Sequence, residues 1–153
     1  MNVGRLGRGE LVAAAGGLLL VVCLFLPWYE TSPDNANAMI DGTRGALSGW
    51  EVHGVLRWLL LAAAAAPLIL IWIIVRDHEL SWSRGEMTAV AAIAAFGLLA
   101  YTGLLDRPGS PSGAIALQPG FFGALAGTVL MIAGGAMRAA ESETARRPPG
   151  VLR

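Results

Sequence analysis

Three residues that can do chemistry lie close together in the stretch Ser48–Trp58, which reads SGWEVHGVLRW. Glu51 is an acid, His53 is a possible base, and Arg57 carries a fixed positive charge. Beside a long apolar run, such a set could form a catalytic or ion-handling site at a membrane edge. The same residues could instead begin a helix and hold its end at the membrane surface, so the surrounding elements decide between the two.

The composition indicates an integral membrane protein. Of the 153 residues, 55% are hydrophobic and only 14% are charged, whereas soluble domains carry about 25% charged residues. The formal net charge is zero, which provides no general attraction to nucleic acid. The single cysteine, Cys23, excludes an internal disulfide and a CxxC redox centre. No cofactor is predicted.

Four long apolar segments predict an all-α fold, an integral membrane four-helix bundle. The predicted spans cover about residues 10–28, 49–75, 84–105 and 119–138. Their lengths are close to the roughly 20 residues that cross a hydrocarbon core, and in lipid the backbone groups must bond within each segment. We therefore expect one transmembrane domain over residues 1–140 and a disordered cytoplasmic tail over residues 141–153.

The arginines are unevenly distributed between the two sides of these spans. One side holds Arg5, Arg8, Arg76, Arg84, Arg138, Arg146, Arg147 and Arg153. The two longer loops and their flanks hold only Arg44, Arg57 and Arg107. Since the arginine-rich side stays cytoplasmic, both termini are predicted inside and the longer loops outside.

The fourth span carries a ridge of small residues, formed by Gly120, Gly123, Gly127 and Gly134. These glycines fall within about 60° of one another at 100° per residue, and residues 123–127 form a GxxxG motif. Lipid supplies no hydrophobic drive for helix association, so packing depends on close approach through small residues. The ridge either holds the bundle together or is a docking face for another protein.

Pro67 follows five successive alanines inside the second span. It removes the hydrogen bond to the Ala63 carbonyl and is expected to kink the helix. The kink is either a tolerated bend or a local opening that leaves room for a lipid or another ligand.

Other kinds of chemistry have little support in this sequence. The centres of the predicted spans hold no ionisable residue, which weighs against an ion pump or a selective channel. His53 and His78 fall on opposite sides of the membrane in this topology, so no metal site is predicted. No GxSxG motif is present. The chain is therefore expected not to be an enzyme, with an outer-face lipid-modifying enzyme as the remaining alternative.

Two short patterns predict helix starts. Ser48 and Glu51 fit a capping box, in which the serine and the glutamate each satisfy a free amide at the start of a helix. Ser83 and Glu86 repeat the spacing directly before the third span. Two such boxes before two apolar runs favour a structural role for these residues.

Aromatic residues flank the spans where amphipathic rings suit the headgroup zone. The predicted interface anchors are Trp28, Tyr29, Trp50, Trp58 and Trp82. Arg57 is expected to extend its charge to the outer surface. His53 is left without a structural assignment, and together with Arg57 it is the polar candidate for a functional role.

The motifs LFLPWYE at the end of the first span, SGWE at the start of the second and LLDRPG after the third stand out, together with the glycine-rich fourth span. In these features the chain resembles small four-span membrane proteins of actinobacteria. The resemblance implies a fold and a location in the plasma membrane of a bacterium, and no catalytic residues. In topology alone, the layout is also similar to claudins and tetraspanins.

Taken together, the sequence predicts a non-enzymatic accessory, assembly or scaffold subunit. It would act by helix–helix association with a membrane-protein partner or as a homo-oligomer, in contact with membrane lipids. The alternative is binding or transport of a lipid or small apolar ligand through a cleft near the Pro67 kink.

Overall fold

A computed structural model of the protein describes residues 7–76 and 84–146. The chain is mostly helical. Three helical stretches of the described chain are long and apolar enough to cross a membrane, namely Leu56–Val75, Gly85–Leu105 and Pro119–Glu141. These stretches indicate a membrane protein.

The helices are α1 (Arg8–Leu24), α2 (Gly49–Val52), α3 (Leu56–Val75), α4 (Arg84–Ala100) and α5 (Pro119–Arg146). A π-helical turn (Tyr101–Leu105) continues α4, and a 3₁₀ turn covers Ser112–Ala114. The strands are β1 (Pro27–Thr31), β2 (Ala46–Ser48) and β3 (Ile115–Leu117).

The observed helices begin and end at different residues from the predicted spans. The first span was expected to reach residue 28, but α1 ends at Leu24, because Pro27 has no amide hydrogen and disfavours helix in the residue before it. The second span was expected to be continuous over residues 49–75. It is interrupted between α2 and α3, where Gly54 lowers the helix propensity.

The last helix is longer than predicted. Residues 141–146, expected to begin a disordered tail, are helical because α5 continues to Arg146. Glu141 accepts a hydrogen bond from Arg138 one turn earlier, over 3.2 Å, and such pairs stabilise a helix. Residues 147–153 lie outside the described part of the chain.

The two longer loops contain a sheet that the predicted all-α fold omits. β1 lies between β2 and β3 and is antiparallel to both. Tyr29 faces Leu47 of β2 and Leu117 of β3. The sheet therefore joins two loops that are far apart in the sequence, and we call this end of the molecule the sheet end.

Glycines allow α1 and α5 to pack against each other with their backbones in close approach. A Cβ atom added to Gly16 would lie 2.5 Å from the carbonyl oxygen of Gly127, and one added to Gly134 would lie 2.5 Å from the carbonyl oxygen of Gly9. Neither distance leaves room for a methyl group, so close packing here depends on glycine.

The predicted glycine ridge faces α1 and the residues that lead from α1 into β1. In addition to Gly127 and Gly134, Gly123 packs on the Cys23 sulfur and Gly120 on the carbonyl of Pro27. This face of α5 is therefore covered by the protein's own first helix and is not open to a second protein.

The outer surfaces of the helices are apolar. Large side chains point outward on each long helix, among them Leu18 (54% exposed), Ile69 (55%), Ile93 (57%) and Val129 (50%). A contiguous apolar surface of this kind marks a region that meets a membrane or a partner. It matches the membrane placement of the three long apolar stretches.

Candidate functional site

The central strand of the sheet places two large aromatic residues in the protein core. Trp28 and Tyr29 are adjacent in β1, yet both side chains are fully buried. A strand normally alternates its faces, but the register between β1 and β2 shifts between Pro27 and Tyr29, and such a bulge re-aims a side chain. Their prediction as interface anchors is therefore wrong, because both pack inward, against Phe121 of α5.

Tyr29 meets His53 at the edge of this core. The Tyr29 hydroxyl oxygen and His53 Nε2 lie 3.0 Å apart and share a hydrogen bond. The imidazole also packs against the Trp28 ring, with centroids 5.9 Å apart. His53 follows the last residue of α2, so this bond ties the sheet to the link between α2 and α3.

Both members of this pair have shifted acidities. Burial lowers the pKa of His53, and the charge of Asp41 opposes this shift. Burial raises the pKa of Tyr29 to about 12, opposed by a hydrogen bond with Thr102 and by the charge of Arg107. Burial thus disfavours the charged form of each group, and at neutral pH the pair consists of an uncharged imidazole and an uncharged phenol.

The start of α2 has the predicted capping box. The Ser48 hydroxyl oxygen accepts from the Glu51 amide over 3.3 Å, and the Ser48 amide donates to Glu51 Oε2 over 2.8 Å. The Ser48 hydroxyl also donates to this carboxylate, over 2.7 Å. These bonds from Ser48 hold the pKa of the exposed Glu51 below its ordinary value.

The acid and the imidazole of the opening stretch are not brought together. Glu51 is exposed and bonded to Ser48, whereas His53 turns inward to Tyr29. In the described part of the chain, no hydrogen bond or ion pair joins Glu51 to His53. Instead of an acid–base pair, Glu51 forms a helix cap and His53 forms a partly buried polar contact.

Arg57 lies in a separate cluster at the sheet end. Its guanidinium carbon is 5.0 Å from the ring centroid of Trp50 and 5.7 Å from that of Trp58. One terminal nitrogen donates to the Trp50 carbonyl over 3.1 Å. Trp50 also stacks on Phe25, with centroids 5.0 Å apart. The cluster combines one cation with several partly exposed aromatic rings.

An open cavity of about 640 Å³ with a mixed polar and apolar lining lies on the sheet. Its lining includes Glu30, Thr31, Asn35, Arg107, Ile115 and Ala116. Arg107 is held by the carbonyls of Gly103, at 3.2 Å, and Ile115, at 2.7 Å. The amide of Gln118 donates to the Glu30 carboxylate. The sheet surface is therefore shaped by side chains that are themselves held in place.

Pro67 and the nearest apolar cavity lie on different faces of α3. Pro67 is buried and packs against Gly17 of α1. The helix α3 continues through Pro67 without interruption. A cavity of about 270 Å³ lies instead between α3 and α4. Its lining includes Ala62, Ala66, Ile69, Leu70, Met87 and Ala91.

Sequence reasoning missed an ion pair at the end opposite the sheet, in which the acid is buried and the arginine is partly exposed. Glu10 Oε1 lies 3.0 Å from Arg138 Nε, and the glutamate side chain is only 1% exposed. The Gly7 amide donates to the same carboxylate. The one available signal was an acid in the first turn of a helix that begins next to apolar residues.

Some of the remaining predicted residues cannot be placed. Trp82 and Ser83 lie outside the described residues, as does His78. Glu86 lies in the first turn of α4 and is exposed. Within the described ranges, no group of three or more histidine, cysteine or acidic residues is positioned to hold a metal ion.

No protein-family model, curated protein or solved structure matches this chain.

Proposed function

We propose that the protein crosses a bacterial plasma membrane four times, with both termini in the cytoplasm and the sheet outside. The 17 residues of α1 are few for a span. However, α1 packs along α5 from the contact of Gly9 with Gly134 to that of Cys23 with Gly123. Because α1 packs along most of the membrane span of α5, it lies at the same depth in the membrane as α5. The arginine distribution supports the orientation.

Within this arrangement, the protein is a non-enzymatic accessory or assembly subunit that offers the sheet end to a membrane-protein partner. The observation that carries this proposal is the rigid attachment of the sheet to the helices. β1 is paired on both sides, and its side chains Trp28 and Tyr29 are fully buried at the ends of the helices. A surface held this firmly loses little conformational freedom on binding.

The glycine ridge does not provide the docking face, since α1 covers it. The outward face of the sheet is a better candidate. There, Glu30 is flanked across the strands by the small residues Ala46 and Ala116. The two alanines are shorter than Glu30, so the Glu30 carboxylate, which accepts a hydrogen bond from Gln118, projects beyond them beside the open cavity. This surface suits a partner that inserts a donor or a positive charge.

Photo-crosslinking in native membranes tests the proposal. A photoreactive amino acid at Ala46 or Ala116 is expected to give one discrete protein adduct, whereas the same group at Val129, on the apolar exterior, gives lipid adducts. The mass of the adduct separates a second copy from a different protein. The absence of any protein adduct from both sheet positions, in a correctly inserted protein, would reject the proposal.

A second candidate function is retention of a lipid or small apolar ligand, and the cavity between α3 and α4 favours it. Replacing Ala66 by Leu would fill this cavity, while Ala94→Leu adds the same volume on an exposed part of α4. We expect Ala66→Leu alone to reduce the lipid that co-purifies with the protein. Equal retention in both variants would exclude the cavity as a ligand site.

A further inference from the structure

We propose that Arg57 binds the phosphate of an anionic phospholipid at the sheet end of α3. The inference rests on the membrane placement of α3 in the proposed function and is independent of any partner on the sheet. It begins with the fixed position of the guanidinium. Stacking on Trp50 and Trp58 and the bond to the Trp50 carbonyl hold this group in place before any ligand arrives.

The charge of Arg57 has no acidic partner within the described residues. Glu51 is the nearest acid along the chain, and its carboxylate is occupied by Ser48. The Arg57 Nε atom is buried without a hydrogen-bond partner. The one hydrogen bond that the guanidinium makes leaves further donors on its two terminal nitrogens. A guanidinium in this state favours a planar pair of acceptor oxygens such as those of a phosphate.

The surroundings of Arg57 favour a lipid over a soluble anion. Val55 is 75% exposed, Trp58 55% and Leu59 50%, all in the first turns of α3 or directly before them. This apolar surface lies beside the cation and continues along a helix that is apolar enough to span a membrane. One phospholipid can cover Leu59 with its chains and reach Arg57 with its phosphate. Free phosphate can pair with the guanidinium but leaves the apolar surface uncovered.

A headgroup with a net negative charge is expected to bind Arg57 better than a zwitterionic one. A zwitterionic lipid brings its own positive charge close to the guanidinium, whereas an anionic lipid neutralises Arg57 without adding a cation. Attraction between one arginine near the surface and anionic lipid changes binding by about fivefold. The preference for anionic over zwitterionic lipid is expected to be of this size.

Native mass spectrometry of the full-length protein tests the site, with phosphatidylglycerol and phosphatidylcholine added to detergent in matched amounts. The wild-type protein is expected to retain phosphatidylglycerol about fivefold better than phosphatidylcholine. Arg57→Gln should remove this preference. The control is Arg44→Gln, which removes an equal charge from an exposed position on the same side, where Arg44 donates to the Asn35 carbonyl. This variant should keep the preference for phosphatidylglycerol.

Arg57→Gln also loses the bond to Trp50, so thermal unfolding of each variant is measured alongside. If Arg57→Gln does not fold, Arg57→Lys keeps the charge and loses the planar fork, and it should show a reduced preference. If added inorganic phosphate displaces the lipid, the site binds a soluble anion, and the proposal of a phospholipid site is overturned. An unchanged preference in the Arg57 variants, or an equal loss in Arg44→Gln, would also overturn it.

Discussion

Tyr29 and His53 come from opposite sides of the long first loop, and their side chains meet at a distance of 3.0 Å. The tyrosine belongs to the central strand, and the histidine lies where the chain leaves α2 for α3. Their hydrogen bond therefore connects the sheet to the helices through a partly buried polar contact. Leaving His53 without this partner is unfavourable, because a partly buried polar atom regains little water in exchange.

The first prediction is that the protein loses stability as the pH falls below about 6.5. Because burial lowers the pKa of His53, the unfolded chain binds a proton before the folded chain does. The contribution of His53 is therefore fully present above the unfolded pKa of 6.5 and is lost as the pH falls through the lower folded value. The slope is at most about 1.4 kcal/mol per pH unit for one proton.

Unfolding of wild type and His53→Gln between pH 7.5 and 5 measures this effect. Glutamine can still bond to Tyr29 but does not titrate, so the variant should show a flatter profile. Protonation of Glu51 belongs to a lower window, since its pKa lies below the ordinary value. Identical pH profiles for the two proteins would show that His53 does not govern the transition.

The second prediction concerns the close packing of α1 and α5. Gly127→Ala is expected to destabilise the protein by about 1–3 kcal/mol, since the new methyl group would lie 2.8 Å from the carbonyl oxygen of Gly16. Gly97→Ala is the matched control on α4, because nothing lies within 4 Å of a Cβ at that position. It should be neutral or stabilise by up to about 1 kcal/mol. Equal effects in a denaturant titration would contradict the packing.

The sequence indicated the membrane helices and the capping box at Ser48, because both are determined by neighbouring residues. Apolar runs and the spacing of Ser48 and Glu51 are local signals. The sequence does not determine which helix the glycine ridge contacts, because this depends on which helix packs beside α5. Only the structure places Gly16 of α1 against Gly127.

The sheet could not be predicted for the same reason. β2 and β3 are three residues long, too short for a recognisable alternation, and β1 pairs with strands from two different loops. Trp28 and Tyr29 therefore suggested a membrane interface, although the bulge in β1 turns both rings inward. The contact of Tyr29 with His53 depends on this pairing, so no local sequence pattern indicates it.

The third prediction is that the capping box stabilises the start of α2. Ser48→Ala is expected to reduce stability by about 0.5–2 kcal/mol, and Glu51→Ala should act in the same direction. The double variant should lose less than the sum, because both residues belong to the same set of bonds. Ser112→Ala, in an exposed turn of the same end, serves as the control. Strict additivity in thermal unfolding would show that the two residues act separately.

The final prediction concerns the ion pair between Glu10 and Arg138. Because the Glu10 side chain is almost completely buried, Arg138→Met would leave a carboxylate without its cation. We expect a loss of about 3–5 kcal/mol in the free energy of unfolding. Glu141→Gln removes an exposed partner of the same arginine and should lose at most about 1 kcal/mol.

The double variant Glu10→Gln with Arg138→Met distinguishes pairing from general loss of contacts. Glutamine keeps the shape of the glutamate but has no charge to leave uncompensated, so part of the stability lost in Arg138→Met should return. A double-mutant cycle measured by denaturant titration gives the coupling energy directly. If Arg138→Met proves no worse than Glu141→Gln, water reaches the pair, and the contact between α1 and α5 at this end depends on their glycines alone.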